Sequence, residues 1–250
     1  MTTDGDTMTN ASATTAKTVL ITGANKGLGF ETARRLVEAG HTVYVGSRDA
    51  ERGLRAADLL GARHILIDIT DDGSVADAAR TIEAAGGLDV LVNNAGIEVR
   101  GPGNSVPGAA ELTADQIREV FETNVFGAVR VTHAFLPLLR RSPAPVVVNV
   151  SSGLASLTLV SDPATPAHAY PGVAYPASKT ALNMVTLQYA KAFPALRINA
   201  VEPGFTKTDL NGNTGVQTVE EGAEIIVRMA QVAPDGPTGG YFDAEGPLPW

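Results

Sequence analysis

Short apolar runs alternate with longer segments of helical periodicity along most of the chain. The predicted strands cover residues 18–22, 41–45, 64–67, 88–92, 146–150, 197–201 and 240–242, and the predicted helices cover 30–37, 50–60, 74–84, 113–139, 175–193 and 219–231. Because parallel strands need long crossover connections, usually helices, this alternation predicts an α/β protein with a parallel sheet. In the helix predicted at 113–139, Thr113 can cap the start and Pro137 is expected to end or kink it. Nothing divides the chain, and we expect one domain over residues 17–250.

Composition narrows the class of protein. With 250 residues, 44% hydrophobic and 18% charged, the chain is typical of a globular protein, and no apolar run reaches the roughly 18 residues that cross a bilayer. The absence of cysteine excludes disulfides and thiolate chemistry and suits a cytoplasmic location, and four scattered histidines predict no metal site. A net charge of -8 argues against a nucleic-acid partner. Residues 1–16 lack the pattern of a secretion signal, and we expect a disordered tail there.

A glycine-rich turn joins the first strand to the first helix. Residues 22–29 read Thr-Gly-Ala-Asn-Lys-Gly-Leu-Gly, and free backbone N–H groups at the start of a helix can receive a pyrophosphate. The candidate phosphate-binding residues are Gly23, Asn25, Lys26, Gly27, Leu28 and Gly29. A tight strand-to-helix connection also needs glycine for structural reasons alone, so this motif leaves both interpretations open.

The residues at the end of the second strand bear on the choice of dinucleotide. An acidic residue at this place binds ribose hydroxyls, whereas a basic residue suits a 2′-phosphate. The strand is followed by Arg48, and Lys26 can reach the same phosphate from the glycine turn, so NADP is favoured over NAD. The alternative is that both cations are solvated surface residues and that Asp49 binds the ribose.

Two further segments end predicted strands, where open α/β sheets bind ligands. Asp68, followed by Ile69, is a candidate for holding the adenine amino group, and Asn94, Ala95 and Gly96 are expected to run beside the adenosine ribose. Asp68 has an alternative role as a cap for the helix that begins after Thr70.

Tyr175 and Lys179 stand four residues apart at the start of a predicted helix. This spacing puts the phenol and the ammonium on one face, one turn apart. A positive charge beside a phenol favours phenolate, so a group with a reference pKa of about 10 is expected to exchange a proton nearer neutral pH. The pair predicts proton transfer beside a bound cofactor.

Taken together and in this order, the motifs resemble the short-chain dehydrogenase/reductase family from residue 17 to about 244. They are the turn at 22–29, Asn93-Asn94-Ala95-Gly96, Asn124, Ser151-Ser152, Tyr175-x-x-x-Lys179 and Pro203-Gly204. Lys26 and Arg48 look most similar to the NADPH-dependent carbonyl reductases of that family. The resemblance implies a Rossmann-type doubly wound sheet of about seven parallel strands with helices on both faces.

The resemblance also implies roles for individual residues. Tyr175 would be the acid/base at the carbonyl oxygen, and Lys179 would lower its pKa and bind the nicotinamide ribose. Ser152 would donate a hydrogen bond to that oxygen as charge develops, and Asn124 would hold a water that links Lys179 to solvent. Four residues, Pro203, Gly204, Thr206 and Thr208, are similar to the loop that binds the nicotinamide carboxamide.

Several positions have competitors or depart from the family pattern. Ser151 competes with Ser152, and Tyr170 competes with Tyr175 but has alanine, not lysine, four residues later. Ser152 and Tyr175 are 23 residues apart, more than is usual in the family, so residues 156–172 contain an insertion that we expect beside the pocket. The candidate pocket-lining residues are Leu154, His168, Phe205 and Leu210. Monomer and homo-oligomer both stay open, and the C-terminal Gly-Pro-Leu-Pro-Trp segment can cover the pocket or a neighbour.

The sequence therefore predicts an enzyme that reduces a ketone or aldehyde to an alcohol with NADP(H), or catalyses the reverse oxidation, on a small-molecule substrate. One alternative is a sensor that binds NADP without turnover, although such proteins usually lack a catalytic residue. Another is an epimerase or dehydratase, which normally has a larger C-terminal substrate domain. Only about 45 residues follow Gly204 in this chain.

Overall fold

Seven parallel strands form one sheet in the computed structural model, which describes residues 16–250. In chain order the strands are β1 Thr18–Ile21, β2 Thr42–Ser47, β3 Arg63–Leu66, β4 Val90–Asn93, β5 Val146–Val150, β6 Arg197–Val201 and β7 Tyr241–Phe242. Their order across the sheet is β3, β2, β1, β4, β5, β6, β7, and every pairing is parallel. The doubly wound seven-stranded sheet is thus confirmed. The tail predicted at residues 1–16 lies, apart from its last residue, outside the described residues.

Eight α-helices connect and cover the strands within the described part of the chain. They are α1 Gly27–Glu38, α2 Ala50–Leu60, α3 Asp72–Ala84, α4 Ala114–Phe121, α5 Ala128–Leu139, α6 Leu157–Ser161, α7 Ala174–Ala192 and α8 Val219–Ala230. Side-chain caps begin several of them. Asp49 accepts a hydrogen bond from the backbone of Arg52 at 3.0 Å to start α2, and Thr113 forms a reciprocal capping box with Gln116 to start α4.

The core consists of two apolar layers, one on each face of the sheet. On one face, Leu36 of α1 and Ile226 of α8 are fully buried against the valines of β1, β4 and β5. On the other face, Ile82 of α3 and Phe135 of α5 are equally buried. Truncating a side chain such as Phe135 to alanine typically costs about 3–5 kcal/mol. This single domain therefore holds the ends of its strands on a rigid base.

The helix predicted at residues 113–139 is interrupted at its centre. A π-helical turn, Glu122–Gly127, separates α4 from α5, whereas Pro137 lies in the last turns of α5 without dividing it. The extra residue of a π turn rotates the positions around it, and such turns occur often at functional sites. Here the turn buries Asn124, which is 1% exposed.

The order of the strands creates a binding position at one edge of the sheet. The chain winds outward from β1 in one direction and from β4 in the other, so their carboxyl ends flank the switch point. Ile21 pairs with Val92, which brings the glycine turn beside the segment after β4. Across residues 16–250, no helix has both the length and the apolar character needed to span a bilayer.

Candidate active site

A cleft of about 1430 Å³ opens at the carboxyl ends of the strands. It runs from the glycine turn past the end of β4 to the start of α7. All the residues predicted to bind the cofactor line it: Gly23, Asn25, Lys26, Gly27, Leu28, Gly29, Arg48, Asp68, Ile69, Asn94, Ala95, Gly96, Tyr175, Lys179, Pro203, Gly204, Thr206 and Thr208. The sequence motifs thus converge on one continuous surface.

The glycine turn is packed tightly against the segment that follows β4. Asn94 donates from Nδ2 to the carbonyl oxygen of Thr22 at 2.8 Å, and the Thr22 hydroxyl accepts from the backbone N–H of Asn94 and of Ala95, both at 3.1 Å. A Cβ atom on Gly29 would lie only 2.5 Å from Asn94 Nδ2 and 2.9 Å from the carbonyl oxygen of Gly23. Gly29 therefore permits this close approach. The glycine is thus needed for the tight strand-to-helix connection, and it also lines the cleft.

The charged residues near β2 are arranged differently from one another. Arg48 is exposed on the cleft wall, whereas Lys26 forms an ion pair with Asp209 at 2.6 Å. The carboxylate of Asp49 caps α2 and lies 3.2 Å from Nε of Arg52. Hydrogen bonding to the backbone of Arg52 holds the pKa of Asp49 below its usual value. Asp49 is therefore occupied, which weakens the alternative that it binds a ribose.

Asp68 stabilises a turn on the cleft wall. Its Oδ1 accepts from the backbone N–H of Thr70 at 2.9 Å and from the Thr70 hydroxyl at 2.7 Å. The cap of α3 is Asp71, whose side chain accepts from the backbone of Ser74 at 2.6 Å. The alternative that Asp68 caps this helix is wrong, and its proposed contact with an adenine stays a prediction.

Tyr175 and Lys179 meet at the inner end of the cleft. Both lie in the first turns of α7, and the ammonium of Lys179 is 5.6 Å from the centre of the Tyr175 ring. Lys179 donates a hydrogen bond from Nζ to the carbonyl oxygen of Val150 at 2.8 Å, which anchors it at the end of β5. The predicted one-turn spacing thus places the two groups side by side in the cleft.

The electrostatics of this pair differ from the sequence-based expectation. Burial, followed by the negative charges of Glu202 and Glu98, raises the pKa of the Tyr175 phenol, while Ser152 and Arg100 act in the opposite direction. Burial also lowers the pKa of Lys179 to about 8, against the influence of Glu202. Burial thus opposes the shift toward neutral pH that the neighbouring cation is expected to cause, and the lowering of the phenol pKa by Lys179 stays a prediction.

Asn124 lies behind the cleft wall rather than on it. Its Oδ1 accepts from the backbone N–H of Ile97 at 2.8 Å, and its Nδ2 donates to the Ile97 carbonyl oxygen at 2.9 Å and to the Ser178 hydroxyl at 3.0 Å. Ser178 in turn donates to the backbone carbonyl of Tyr175 at 2.7 Å. Asn124 therefore ties the segment after β4 to the first turn of α7, and its predicted contact with a water stays a prediction.

The two serines after β5 have separate roles. Ser151 is 2% exposed and donates from its hydroxyl to Oδ1 of Asn183 at 2.7 Å, so it is committed to the core. Ser152 lies on the cleft wall, where its hydroxyl accepts a hydrogen bond from the backbone N–H of Leu154 at 3.3 Å and contacts Tyr175. This geometry favours Ser152 over Ser151 as the group next to the phenol.

The loop after β6 is held by its own side chains. Gly204 has a φ of 77°, a conformation that favours glycine, and the Thr206 hydroxyl donates to the carbonyl oxygen of Pro203 at 3.0 Å. Gln217 donates from Nε2 to the Thr206 hydroxyl at 2.9 Å. The loop is thus held in place beside the cleft by its own hydrogen bonds. The Thr206 hydroxyl already donates one of these bonds and accepts another.

The insertion at residues 156–172 forms part of the cleft wall, as expected. The phenol of Tyr170 donates to Glu98, which also forms an ion pair with Arg100. Of the predicted lining residues, Leu154, Phe205 and Leu210 line the cleft, but His168 does not. His168 points to the insertion itself, because its Nδ1 lies 2.9 Å from the carbonyl oxygen of Val160.

The C-terminal residue folds back onto its own chain. The Trp250 ring stacks on Tyr241 with 5.4 Å between ring centres, and the backbone N–H and hydroxyl of Thr158 donate to the Trp250 carbonyl oxygen at 3.2 and 2.9 Å. Tyr241 donates from its hydroxyl to the carbonyl oxygen of Ser152. The C-terminus thus supports the wall that carries Ser152.

The charged residues of the cleft that are absent from the sequence-based candidates include three that act on the pKa of Tyr175: Glu98, Arg100 and Glu202. Glu202 directly follows β6, and Glu98 and Arg100 follow the Asn-Ala-Gly motif after β4. Their position in the sequence could have identified them, because ligands of open α/β sheets bind in the crevice at the carboxyl ends of the strands.

A parallel sheet whose switch point opens onto adjoining tyrosine and lysine side chains is the architecture of an oxidoreductase that uses a nicotinamide cofactor. The family model for short chain dehydrogenases matches residues 17–218. (+)-Neomenthol dehydrogenase of Capsicum annuum is 33% identical over 305 residues, covering 92% of this chain and 96% of the relative. (-)-Isopiperitenone reductase of Mentha piperita is 32% identical over 307 residues, covering 92% and 96%. The structure of salutaridine reductase from Papaver somniferum superposes with a TM-score of 0.79 at 30% identity, covering 90% of this chain and 99% of that one. This chain belongs to the short-chain dehydrogenase/reductase family.

Proposed function

We propose that this enzyme reduces a ketone or aldehyde to an alcohol with NADPH, or catalyses the reverse oxidation. The observation that carries the proposal is the side-by-side placement of Tyr175 and Lys179 at the end of a cleft that begins at the glycine turn. The relatives named above are reductases and a dehydrogenase, which supports the same class of reaction.

The residues of the cleft fit a dinucleotide. Gly29 lets the turn pack against the segment after β4, since a Cβ atom there would lie 2.9 Å from the Gly23 carbonyl oxygen, and the packed turn lines the cleft. Backbone N–H groups at the start of α1 and the exposed cation of Arg48 supply the charges that a phosphorylated cofactor requires. We therefore assign the phosphates to the glycine turn and the 2′-phosphate to Arg48 and Lys26.

The reaction divides between cofactor and protein. Bound NADPH would supply hydride to the carbonyl carbon. Tyr175 gives its phenol proton to the carbonyl oxygen as negative charge develops there. Ser152 donates a hydrogen bond to the same oxygen, which stabilises the transition state more than the ground state.

Lys179 and Asn124 act on this pair rather than on the carbonyl. The ammonium of Lys179, anchored on Val150, stabilises the tyrosinate that is left after proton transfer. Asn124 holds the first turn of α7 through Ser178 and thereby positions the phenol.

A carbonyl panel tests the proposal. We expect the purified protein to consume NADPH with at least one ketone or aldehyde, and to bind NADPH more tightly than NADH in a fluorescence titration. Absence of turnover across aliphatic, alicyclic and aromatic carbonyl compounds, despite tight NADPH binding, would favour the sensor alternative. Tighter binding of NADH would reject the assignment of Arg48 and Lys26.

A further inference from the structure

Glu202 is a carboxyl group in the wall of the cleft that no part of the proposed reaction uses. It follows β6 directly, and its backbone N–H donates to the carbonyl oxygen of Phe242 at 2.8 Å, which fixes its place beside β7. A Cβ atom on Gly153 would lie 3.3 Å from Oε1 of Glu202. The side chain therefore turns back from β6 toward the segment after β5, on the same wall as Ser152.

This carboxyl group has two backbone N–H groups, a lysine, two tyrosines and one aspartate around it. The backbone N–H groups of Gly153 and Gly204 face it, and within residues 16–250 no lysine, arginine or histidine forms an ion pair with it. Burial, opposed by those two N–H groups, raises the pKa of Glu202 to about 7, and the charge of Asp243 adds to the rise while Lys179 lowers it. Such a group changes its charge within the range in which enzymes work.

Titratable side chains from each neighbouring element face this charge. Lys179 is anchored on the carbonyl oxygen of Val150, which pairs in the sheet with Val201, the residue before Glu202, and Tyr175 lines the same cleft. Tyr241 of β7 and Asp243 after β7 also act on or respond to this charge. A negative Glu202 raises the pKa of Tyr175, Lys179 and Tyr241 alike. The carboxyl group is thus electrostatically coupled to both members of the pair that transfers the proton.

We propose that Glu202, held between Gly153 and Gly204 in the cleft wall, is a positioning residue that sets the protonation of Tyr175 and Lys179. The proposal rests on the function proposed above. When Glu202 is ionised, its charge opposes formation of tyrosinate and keeps Lys179 cationic. The phenol of Tyr175 and the ammonium of Lys179 consequently keep their protons to a higher pH than they would without Glu202.

The sign of the effect follows from the charge. The negative charge of Glu202 raises the pKa of Tyr175 and of Lys179. Replacing Glu202 by glutamine removes that charge, so both pKa values fall. In carbonyl reduction, which needs the protonated phenol, activity is then lost at lower pH than in the wild type. In alcohol oxidation, which needs the tyrosinate, activity appears at lower pH.

The pH profile of kcat/KM tests the proposal. For Glu202→Gln we expect the basic limb of the reduction profile that reflects loss of the Lys179 cation, whose pKa lies at about 8, to move down by about one pH unit. Glu202→Asp keeps the charge and is expected to retain most of the wild-type profile. Glu220→Gln is the matched control, because Glu220 is an exposed residue of the same cleft and is not among the groups that act on Tyr175. The proposal would be overturned if the basic limbs of the two kcat/KM profiles, for wild type and Glu202→Gln, superimposed. A uniform loss of activity with no shift of the profile along the pH axis would overturn it too.

A second measurement needs no turnover and separates this proposal from the proposed function. NMR titration of the glutamate side-chain carboxyl carbons is expected to show one group with a midpoint near pH 7 in the wild type. That signal should be missing in Glu202→Gln and present in Glu220→Gln. A midpoint in the ordinary range for every glutamate would contradict the role of Glu202, whereas a failed carbonyl panel alone would contradict only the proposed reaction.

Discussion

Lys26 and Asp209 form an ion pair of 2.6 Å across the cleft although they lie 183 positions apart in the chain. Lys26 belongs to the glycine turn, and Asp209 to the segment after Gly204. Their side chains are 58% and 62% exposed, so the pair contributes only about 0–1 kcal/mol. A phosphate can therefore replace Asp209 as the partner of the ammonium at little cost.

Removing the competing carboxylate is expected to strengthen NADPH binding. Asp209→Asn frees Lys26 and should lower the Kd for NADPH up to about fivefold, whereas Lys26→Ala should raise it. Fluorescence titration at low and high salt measures both. The double variant should bind NADPH no more tightly than Lys26→Ala does. If Asp209→Asn still strengthens NADPH binding when Lys26 is absent, the gain does not come from breaking the ion pair.

Arg48 is expected to distinguish the two dinucleotides. Arg48→Ala should weaken NADPH binding by about 10-fold to 100-fold, since hydrogen bonds to charged groups contribute about 1.5–3 kcal/mol, and should leave NADH binding nearly unchanged. Arg52→Ala is a matched control, because Arg52 also lines the cleft but is paired with Asp49. Equal losses for NADPH and NADH would remove Arg48 from the 2′-phosphate site.

Tyr170 is expected to position the insertion that borders the substrate. Tyr170→Phe breaks its hydrogen bond to the buried carboxylate of Glu98, so the KM for the carbonyl substrate should rise about 10-fold while the Kd for NADPH stays unchanged. Tyr189→Phe provides the comparison, because within the described residues the Tyr189 hydroxyl makes no hydrogen bond and its ring packs on Phe193. A changed Kd for NADPH would place Tyr170 in cofactor binding instead.

Gly29 is expected to tolerate no side chain. In Gly29→Ala the new methyl group meets Asn94 Nδ2 at 2.5 Å and backbone atoms at 2.9 Å, so we expect a loss of about 1–3 kcal/mol in the free energy of unfolding together with weaker NADPH binding. Thermal unfolding and cofactor titration measure the two effects. Gly108→Ala should be nearly neutral, because a Cβ atom there meets nothing within 4 Å. A neutral Gly29→Ala would show that the turn relaxes easily.

The sheet was predictable from sequence because its strands are short apolar runs between turn residues. The predicted strands at 146–150 and 197–201 and the predicted helix at 50–60 coincide with β5, β6 and α2. Local pattern suffices for such elements. The π turn around Asn124 was not predictable in this way, since the periodicity of α4 and α5 is continuous and the turn is coupled to tertiary hydrogen bonds with Ile97.

The site was predictable where a motif carries its own chemistry, as Tyr175 and Lys179 do. Their electrostatics were not, because desolvation depends on how deeply the fold buries the phenol, and the sequence shows only the neighbouring cation. Glu202 was missed for a related reason. An acidic residue after an apolar strand looks like an ordinary surface position until β7 and the segment after β5 pack against it.

The most direct test of the account is the rate of NADPH oxidation by Tyr175→Phe. Loss of the proton donor should lower kcat by about 100-fold to 10000-fold for any carbonyl substrate that the wild type reduces, while the Kd for NADPH stays nearly unchanged. Turnover close to that of the wild type, with NADPH still bound, would contradict the role of the phenol and with it the proposed reaction.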